Sequence, residues 1–367
     1  MMQLHHELER LWLPLADALD RAGATAARAG LHAWGAAARA AQGRPPIDFI
    51  AGPATAHELV SDGRLARLLR YRARGAARPT PILIVASLIN RYYVLDLLPE
   101  LSVIDKLCAA GFEVYVLDWK APGAGGPRLR FADYVDGAIA EAADYCARAS
   151  KPIVLGYCMG GMLAALFAAR HPERLRALCL LGTPIDFHAS GPLASFTDRR
   201  RFDADLLIDA LGNMPPAMMQ SGFKLLSPSD ALFKLIHLWL DAGDEARLRH
   251  VVAVESWLED NVAFPGGVYR EYIGRLYQDN ALIAGRLLVG GEPIELARLT
   301  APLCNVVALN DRICAPPASR ALMDRVGTPP ADRELVEFDT GHIGLTTSRR
   351  AHAELWPRLI KWMEARA

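Results

Sequence analysis

Three residues of the chain have side chains suited to nucleophilic acyl transfer, and each follows a stretch that reads as a buried strand: Cys158, Asp311 and His342. Cys158 lies in Leu155-Gly156-Tyr157-Cys158-Met159-Gly160-Gly161, directly after the apolar run Ile153-Val154-Leu155 and before a helix-like stretch at 162–170. A nucleophile on so tight a strand-to-helix turn takes a strained backbone, and small neighbours at Gly156 and Gly160 let strand and helix close up. The side chain then stands at a helix N-terminus. There the dipole and the N–H of Met159 favour a thiolate and, later, an oxyanion. The pattern is a nucleophile elbow with sulfur in place of the more usual hydroxyl, and its chemistry is acyl transfer through a thioester.

A cysteine among apolar residues is ordinarily an inert small hydrophobe, a lone aspartate after a strand a turn residue, and a lone histidine a satisfied core or surface group. Their order and placement argue otherwise. Asp311 follows the run 303–309, and His342 lies in Asp339-Thr340-Gly341-His342-Ile343-Gly344 after the run 334–338. In an open parallel sheet the carboxyl ends of the strands share one rim, so the three would converge despite their separation in sequence. Nucleophile, acid, histidine is also the order of the α/β-hydrolases. A thiol with a pKa of about 8.5 is only about 3% thiolate at neutral pH, so a neighbouring imidazole has to take its proton. A second oxyanion donor is expected in the loop Ser87-Leu88-Ile89-Asn90-Arg91-Tyr92-Tyr93; the backbone N–H of Ile89 is the first candidate and Leu88 the next.

The elements that must position these groups follow from periodicity. Residues 1 to about 42 carry Leu4, Leu8, Leu11, Leu15 and Leu19 at helical spacing, and Gly43-Arg44-Pro45-Pro46 breaks that helix, giving an N-terminal helical region and linker over 1–58. From residue 59 to 183, short apolar runs at 65–71, 81–86, 113–117, 153–155 and 177–181 alternate with helical patterns at 102–110 and 131–149. That rhythm implies a mostly parallel sheet covered on both faces. It stops at Gly182-Thr183-Pro184. Residues 184–297 show helical segments at 204–211, 231–240 and 268–276 without strand alternation, which reads as a helical cap, or lid, inserted in the sheet domain. Residues 298–367 return to the sheet and close with a helix at 351–364 whose inward positions are Leu355, Leu359, Trp362 and Met363.

Composition narrows the function class. Forty-one basic and forty-one acidic residues give a formal charge of zero, which provides no basis for nucleic-acid binding. The six cysteines are scattered without a Cys-x-x-Cys pair or a histidine cluster at ligand spacing, so neither a disulfide framework nor a metal site is expected. No apolar run reaches the length of a membrane span and no secretory signal is visible at the first residues, which reads as a cytoplasmic protein.

The segments Leu88-Ile89-Asn90-Arg91-Tyr92-Tyr93-Val94-Leu95-Asp96, Gly156-Tyr157-Cys158-Met159-Gly160-Gly161, Thr183-Pro184-Ile185-Asp186-Phe187, Gly290-Gly291 and Thr340-Gly341-His342-Ile343-Gly344 together resemble polyhydroxyalkanoate synthase, and the short chain resembles the class III PhaC subunit in particular. The likeness runs from about residue 59 to the C-terminus. It implies Cys158 as the acylated nucleophile, His342 as its base and Asp311 as the third member. The implied reaction takes (R)-3-hydroxyacyl-CoA, releases CoA and extends a polyester chain at the surface of cytoplasmic granules. No cofactor is implied beyond the CoA of the substrate, and the implied partners are a PhaE-type subunit and further copies of the chain. Asn90 and Tyr92 are expected to touch substrate. Where that family commonly has histidine after the catalytic aspartate, this chain has Arg312, a permanent cation expected either to lower the pKa of Asp311 and weaken it as a base or to hold a CoA phosphate.

Two other readings stand beside it. A cysteine hydrolase, whether thioesterase, polyester depolymerase or dienelactone hydrolase-like enzyme, would pass the acyl group to water. A catalytically silent granule-associated protein would keep the fold without turnover.

Overall fold

The alternating runs of the sequence form one eight-stranded sheet. In a computed structural model, which describes residues 52–224 and 244–367, the strands lie in the order β1-β2-β4-β3-β5-β6-β9-β10. These are β1 (Glu58–Asp62), β2 (Ala66–Tyr71), β3 (Ile82–Val85), β4 (Val114–Trp119), β5 (Ile153–Tyr157), β6 (Ala177–Leu181), β9 (Leu303–Ala308) and β10 (Arg333–Phe338), with a small hairpin of β7 (Leu288–Val289) and β8 (Glu292–Pro293) between β6 and β9. The N-terminal helix, its linker break at 43–46 and the helical segment at 231–240 lie outside the described residues.

β1 pairs with β2 and β2 with β4 in antiparallel fashion, while the strands from β4 to β10 are parallel neighbours. The near-continuous apolar character of β3, β5, β6 and β9, interrupted in β9 by the buried Asn305 that bonds to the Ser319 carbonyl, matches their complete burial, because helices cover both faces of a parallel sheet. Successive residues divide between two cores. Leu83, Val85 and Val154 belong to one packed cluster, and Ile82, Ile84, Ile153 and Leu155 to the other, as the period-2 alternation of a strand requires.

The strand order reverses around β3, which has β4 on one side and β5 on the other. Connections leaving β3 and β5 therefore diverge to opposite faces and open a crevice at their carboxyl ends. The loop after β3 and the elbow after β5 both lie there.

Two helical stretches are less regular than the sequence pattern suggests. The helix expected over 131–149 begins as a π-helix at Asp133–Ile139 and continues as an α-helix over Ala140–Cys146. The stretch expected at 268–276 is an α-turn, Gly266–Arg270, followed by a π-helix, Glu271–Gln278. The residues between β6 and β9 also contain strands that periodicity does not reveal. Leu288–Val289 and Glu292–Pro293 pair as a two-residue hairpin. Gly290 and Gly291 form its turn at φ of 62° and 87°, the conformation a tight I′ turn requires of both central residues. Strands of two residues are too short to display alternation.

Candidate active site

The turn from β5 into the helix Met159–Arg170 forces Cys158 to φ 57°, ψ −128°, one of only two positive-φ non-glycine residues among the described residues. Such a conformation costs about 1–3 kcal/mol and survives only where its surroundings over-determine it. They do so here. The Cys158 N–H donates to the Leu181 carbonyl at 2.9 Å, and its own carbonyl accepts from Gly161 and Met162 at 3.0 and 3.2 Å. A Cβ at Gly160 would lie 2.2 Å from the carbonyl oxygens of both Val85 and Ala86, so only glycine lets the helix start sit against the end of β3. This close approach brings the loop after β3 alongside the elbow.

Five of the six cysteines are buried, and Cys158 is the partly exposed one. Burial pushes the thiols of Cys108 and Cys146 up to about 12 and raises that of Cys314, holding all three protonated and unreactive. Cys158 instead stands at a helix N-terminus, where Met159 is the first helical residue and its N–H has no intrahelical acceptor.

Asp311 follows β9, and its side chain is fully buried, against 7% exposure for that of His342. One carboxylate oxygen accepts the N–H groups of Ile313 and Cys314, each at 2.8 Å. The other lies 2.5 Å from Nδ1 of His342. A carboxylate on Nδ1 places the ring proton there and leaves Nε2 as the acceptor. Nε2 is buried and has no hydrogen-bond partner. Burial alone would lower the imidazole pKa, but the charges of Tyr157, Cys158 and Asp311 and the Asp311 hydrogen bond outweigh it and hold His342 well above the usual histidine range. The arrangement can take a proton from a thiol at Nε2 and keep it.

Sequence reading missed two residues that shape this site. Tyr157 stacks on the His342 ring with centroids 5.2 Å apart, and its hydroxyl donates to the His342 carbonyl at 3.3 Å. Gly182, at φ 52°, leaves the ring its space; a Cβ there would lie 3.1 Å from Cε1 and Nδ1. Tyr157 precedes Cys158 directly, and Gly182 ends the run feeding Thr183-Pro184. Both were therefore visible as motif neighbours but not as partners of a histidine so far along the chain.

The remaining candidates divide. Ile89 is buried in the loop beside the elbow, and its N–H reaches the Ser87 hydroxyl at 3.2 Å. Asn90 and Tyr92, expected to touch substrate, each have a polar group bonded within the protein. The Tyr92 hydroxyl accepts from the buried Tyr71 hydroxyl at 3.0 Å inside the core, and the Asn90 amide donates to the Asn261 side chain. Arg312 is exposed, next to the buried Asp311.

Above the rim, Phe187, Phe264, Tyr272 and Tyr277 form a buried aromatic cluster with edge-to-face contacts of 5.0–6.0 Å. Tyr272 and Tyr277 lie within electrostatic reach of Cys158. No group of three or more His, Cys, Asp or Glu residues is arranged to hold a metal ion among the described residues. No helix among them is long and apolar enough to cross a membrane.

Residues 81–347 match the family described as alpha/beta hydrolase fold, and residues 52–107 match the poly-beta-hydroxybutyrate polymerase (PhaC) N-terminus. The chain is 32% identical over 364 residues to the poly(3-hydroxyalkanoate) polymerase subunit PhaC of Haloferax mediterranei, covering 98% of this chain and 70% of that one. To the subunit of the same name from Allochromatium vinosum it is 33% identical, covering 82% of this chain and 85% of that one. Among solved structures, a non-heme bromoperoxidase, BpoC, of Mycobacterium tuberculosis matches with a TM-score of 0.54 at 15% identity, over 85% of this chain and 98% of that one. A thermophilic esterase of Thermogutta terrifontis matches with a TM-score of 0.53 at 17% identity, over 84% and 96% of the two chains. These two share the fold.

Proposed function

The chain belongs to the PhaC family of poly(3-hydroxyalkanoate) polymerases, and from that premise we propose that it polymerises (R)-3-hydroxyacyl-CoA through a thioester on Cys158, with His342 as base and Asp311 as the group that orients it. The observation carrying this reading is the unpaired, buried Nε2 of His342, whose other nitrogen is fixed by Asp311, on the rim that carries the Cys158 elbow.

In the first half-reaction, Nε2 takes the Sγ proton and the thiolate attacks the acyl carbonyl. The Met159 N–H and the loop containing Leu88 and Ile89 stabilise the oxyanion. The carbon–sulfur bond to CoA then breaks, and the imidazolium returns its proton to the departing CoA sulfur. One thioester replaces another, so the acyl group keeps its activation. In the second half-reaction, Nε2 takes the proton of a 3-hydroxyl group, whose oxygen attacks the Cys158 thioester, forms the ester and frees the thiolate. CoA enters as part of the substrate, and the route uses no further cofactor.

The described residues between β6 and β9 act as a lid whose aromatic cluster keeps water from the acyl-enzyme long enough for a hydroxyl to attack. Arg312, exposed beside Asp311, is the cation this reading assigns to a CoA phosphate. A PhaE-type subunit, further copies of the chain and the surface of polyester granules in the cytoplasm complete the reading. Incubation of the chain with 3-hydroxybutyryl-CoA tests it. CoA release with polymer and no free acid is expected. Free 3-hydroxybutyrate in place of polymer means a hydrolase, and no CoA release with a partner subunit present means a silent granule protein.

A further inference from the structure

The loop that follows β3 is joined to residues 257–262 by interactions whose partners lie more than 160 positions apart in sequence. The Val262 N–H donates to the Ile89 carbonyl at 3.1 Å. Asn90 and Asn261 form an isolated antiparallel bridge, and the Asn90 amide donates to Oδ1 of Asn261. The Trp257 indole N–H donates to the Arg91 carbonyl at 2.8 Å, and the Tyr93 hydroxyl donates to Asp260 at 2.7 Å. At the centre is Asn261. Its Nδ2 donates to the Leu258 carbonyl at 2.9 Å and to Oε1 of the buried Gln220 at 3.1 Å. Every hydrogen-bonding function of this side chain that can be matched to a partner is directed at the loop, at the helix Glu245–Leu258 or at the helix Pro216–Lys224.

These bonds fall on the loop whose N–H groups are proposed as second oxyanion donors; of these, the Ile89 N–H donates to the Ser87 hydroxyl at 3.2 Å and would exchange that acceptor for the oxyanion. On one side Ser87 follows the end of β3, where the backbone abuts Gly160; on the other, Asn90 and Arg91 are held from the segment 257–262. A loop pinned at one end only would be free to swing its N–H groups away from the elbow, and a misplacement of about 1 Å costs about a hundredfold in rate.

We propose that Asn261 is a positioning residue: through Asn90 it fixes the peptides at 88–90 in register with Cys158, so that the lid holds the second oxyanion donor in place. This rests on the polymerase reading for its substrate and deepens it. The lid then completes the catalytic geometry as well as excluding water, and a chain whose lid is displaced loses transition-state stabilisation even with Cys158, His342 and Asp311 intact.

The test is a double-mutant cycle with Asn90→Ala, Asn261→Ala and the pair combined, in the full chain, read on CoA release from 3-hydroxybutyryl-CoA. Expected is a fall in kcat of about tenfold or more in all three variants alike, with KM within about twofold of wild type. Cys158 should react with iodoacetamide at the wild-type rate, because neither substitution touches the elbow or His342. A rise in KM in Asn90→Ala alone would mean that Asn90 touches substrate directly, and would overturn the proposal. So would a wild-type kcat in Asn261→Ala, losses that multiply in the double variant, or alkylation that falls in step with turnover. If the wild-type chain releases no CoA yet accepts an acyl group on Cys158 from p-nitrophenyl butyrate, the polymerase reading fails alone. The same cycle on that ester then decides the role of Asn261.

Discussion

The carboxylate of Asp311 divides its two oxygens between two tasks: Oδ1 accepts the N–H groups of Ile313 and Cys314 at 2.8 Å each, and Oδ2 meets Nδ1 of His342 at 2.5 Å. The first pair locks the carboxylate to its own loop, so the second contact fixes the imidazole rather than following it. Asp311→Asn keeps the shape but presents an amide, which can donate to Nδ1 and so move the ring proton to Nε2, where the base must be unprotonated. CoA release is expected to fall by about a thousandfold or more, with an unchanged circular dichroism spectrum.

Cys158 separates stability from activity. At φ 57° and ψ −128° a side chain is strained and glycine is not. Cys158→Gly should therefore abolish turnover while raising stability by about 1–2 kcal/mol in urea denaturation. Cys158→Ser keeps the strain and should lower turnover by orders of magnitude, since a hydroxyl beside a base suited to a thiol is a poor substitute. Near-normal polymer output from Cys158→Ser would refute the nucleophile assignment. Mass spectrometry after brief exposure to hydroxyacyl-CoA should show an acyl adduct on Cys158 in the wild-type chain only.

Gly160→Ala should be among the most damaging single-carbon additions. The new methyl group would meet two backbone carbonyl oxygens at 2.2 Å, and neither is the movable end of a side chain. A loss of more than about 2 kcal/mol in the denaturation midpoint is expected, as for other overpacked core sites. Unchanged stability would mean that the helix Met159–Arg170 does not sit so tightly on β3.

Acid should loosen the protein through two histidines away from the rim. Burial lowers the pKa of both His250 and His352 below 6.5, and each has one buried ring nitrogen without a partner, Nε2 and Nδ1 respectively. Arg349 lowers His250 further, against an opposing pull from Glu100, and Lys106 and His250 lower His352, against the Thr346 carbonyl that its Nε2 meets at 2.7 Å. A depressed folded-state pKa means that the unfolded chain binds the extra proton first, so stability is full above about pH 6.5 and declines as pH falls below it. His352→Gln should flatten the slope of denaturation free energy between about pH 5 and 7. An unaltered slope would show that His352 does not titrate on unfolding in this range.

The sequence alone marked out the elbow, because strand, nucleophile and helix are contiguous, and their glycine spacing is a local steric requirement. The runs that became β3, β5 and β6 were legible because strands buried on both faces have no polar side to interrupt them, and β9 remained legible despite the single buried Asn305. The order of Cys158, Asp311 and His342 along the chain, with strand ends sharing a rim, then sufficed to bring the last two together. Tertiary structure decided the rest. Which way the loop after β3 faces depends on partners near residue 261 with no pairing signal in the sequence, so the bonds of Asn90 to Asn261 and of Tyr92 to Tyr71 were not legible there. The stacking of Tyr157 on His342 and the space left by Gly182 likewise exist only once β5, β6 and the loop after β10 lie side by side. A local pattern records which residues can react and which strands must be buried; the direction of a polar side chain is set by whichever distant group satisfies it, and that is known only from the folded chain.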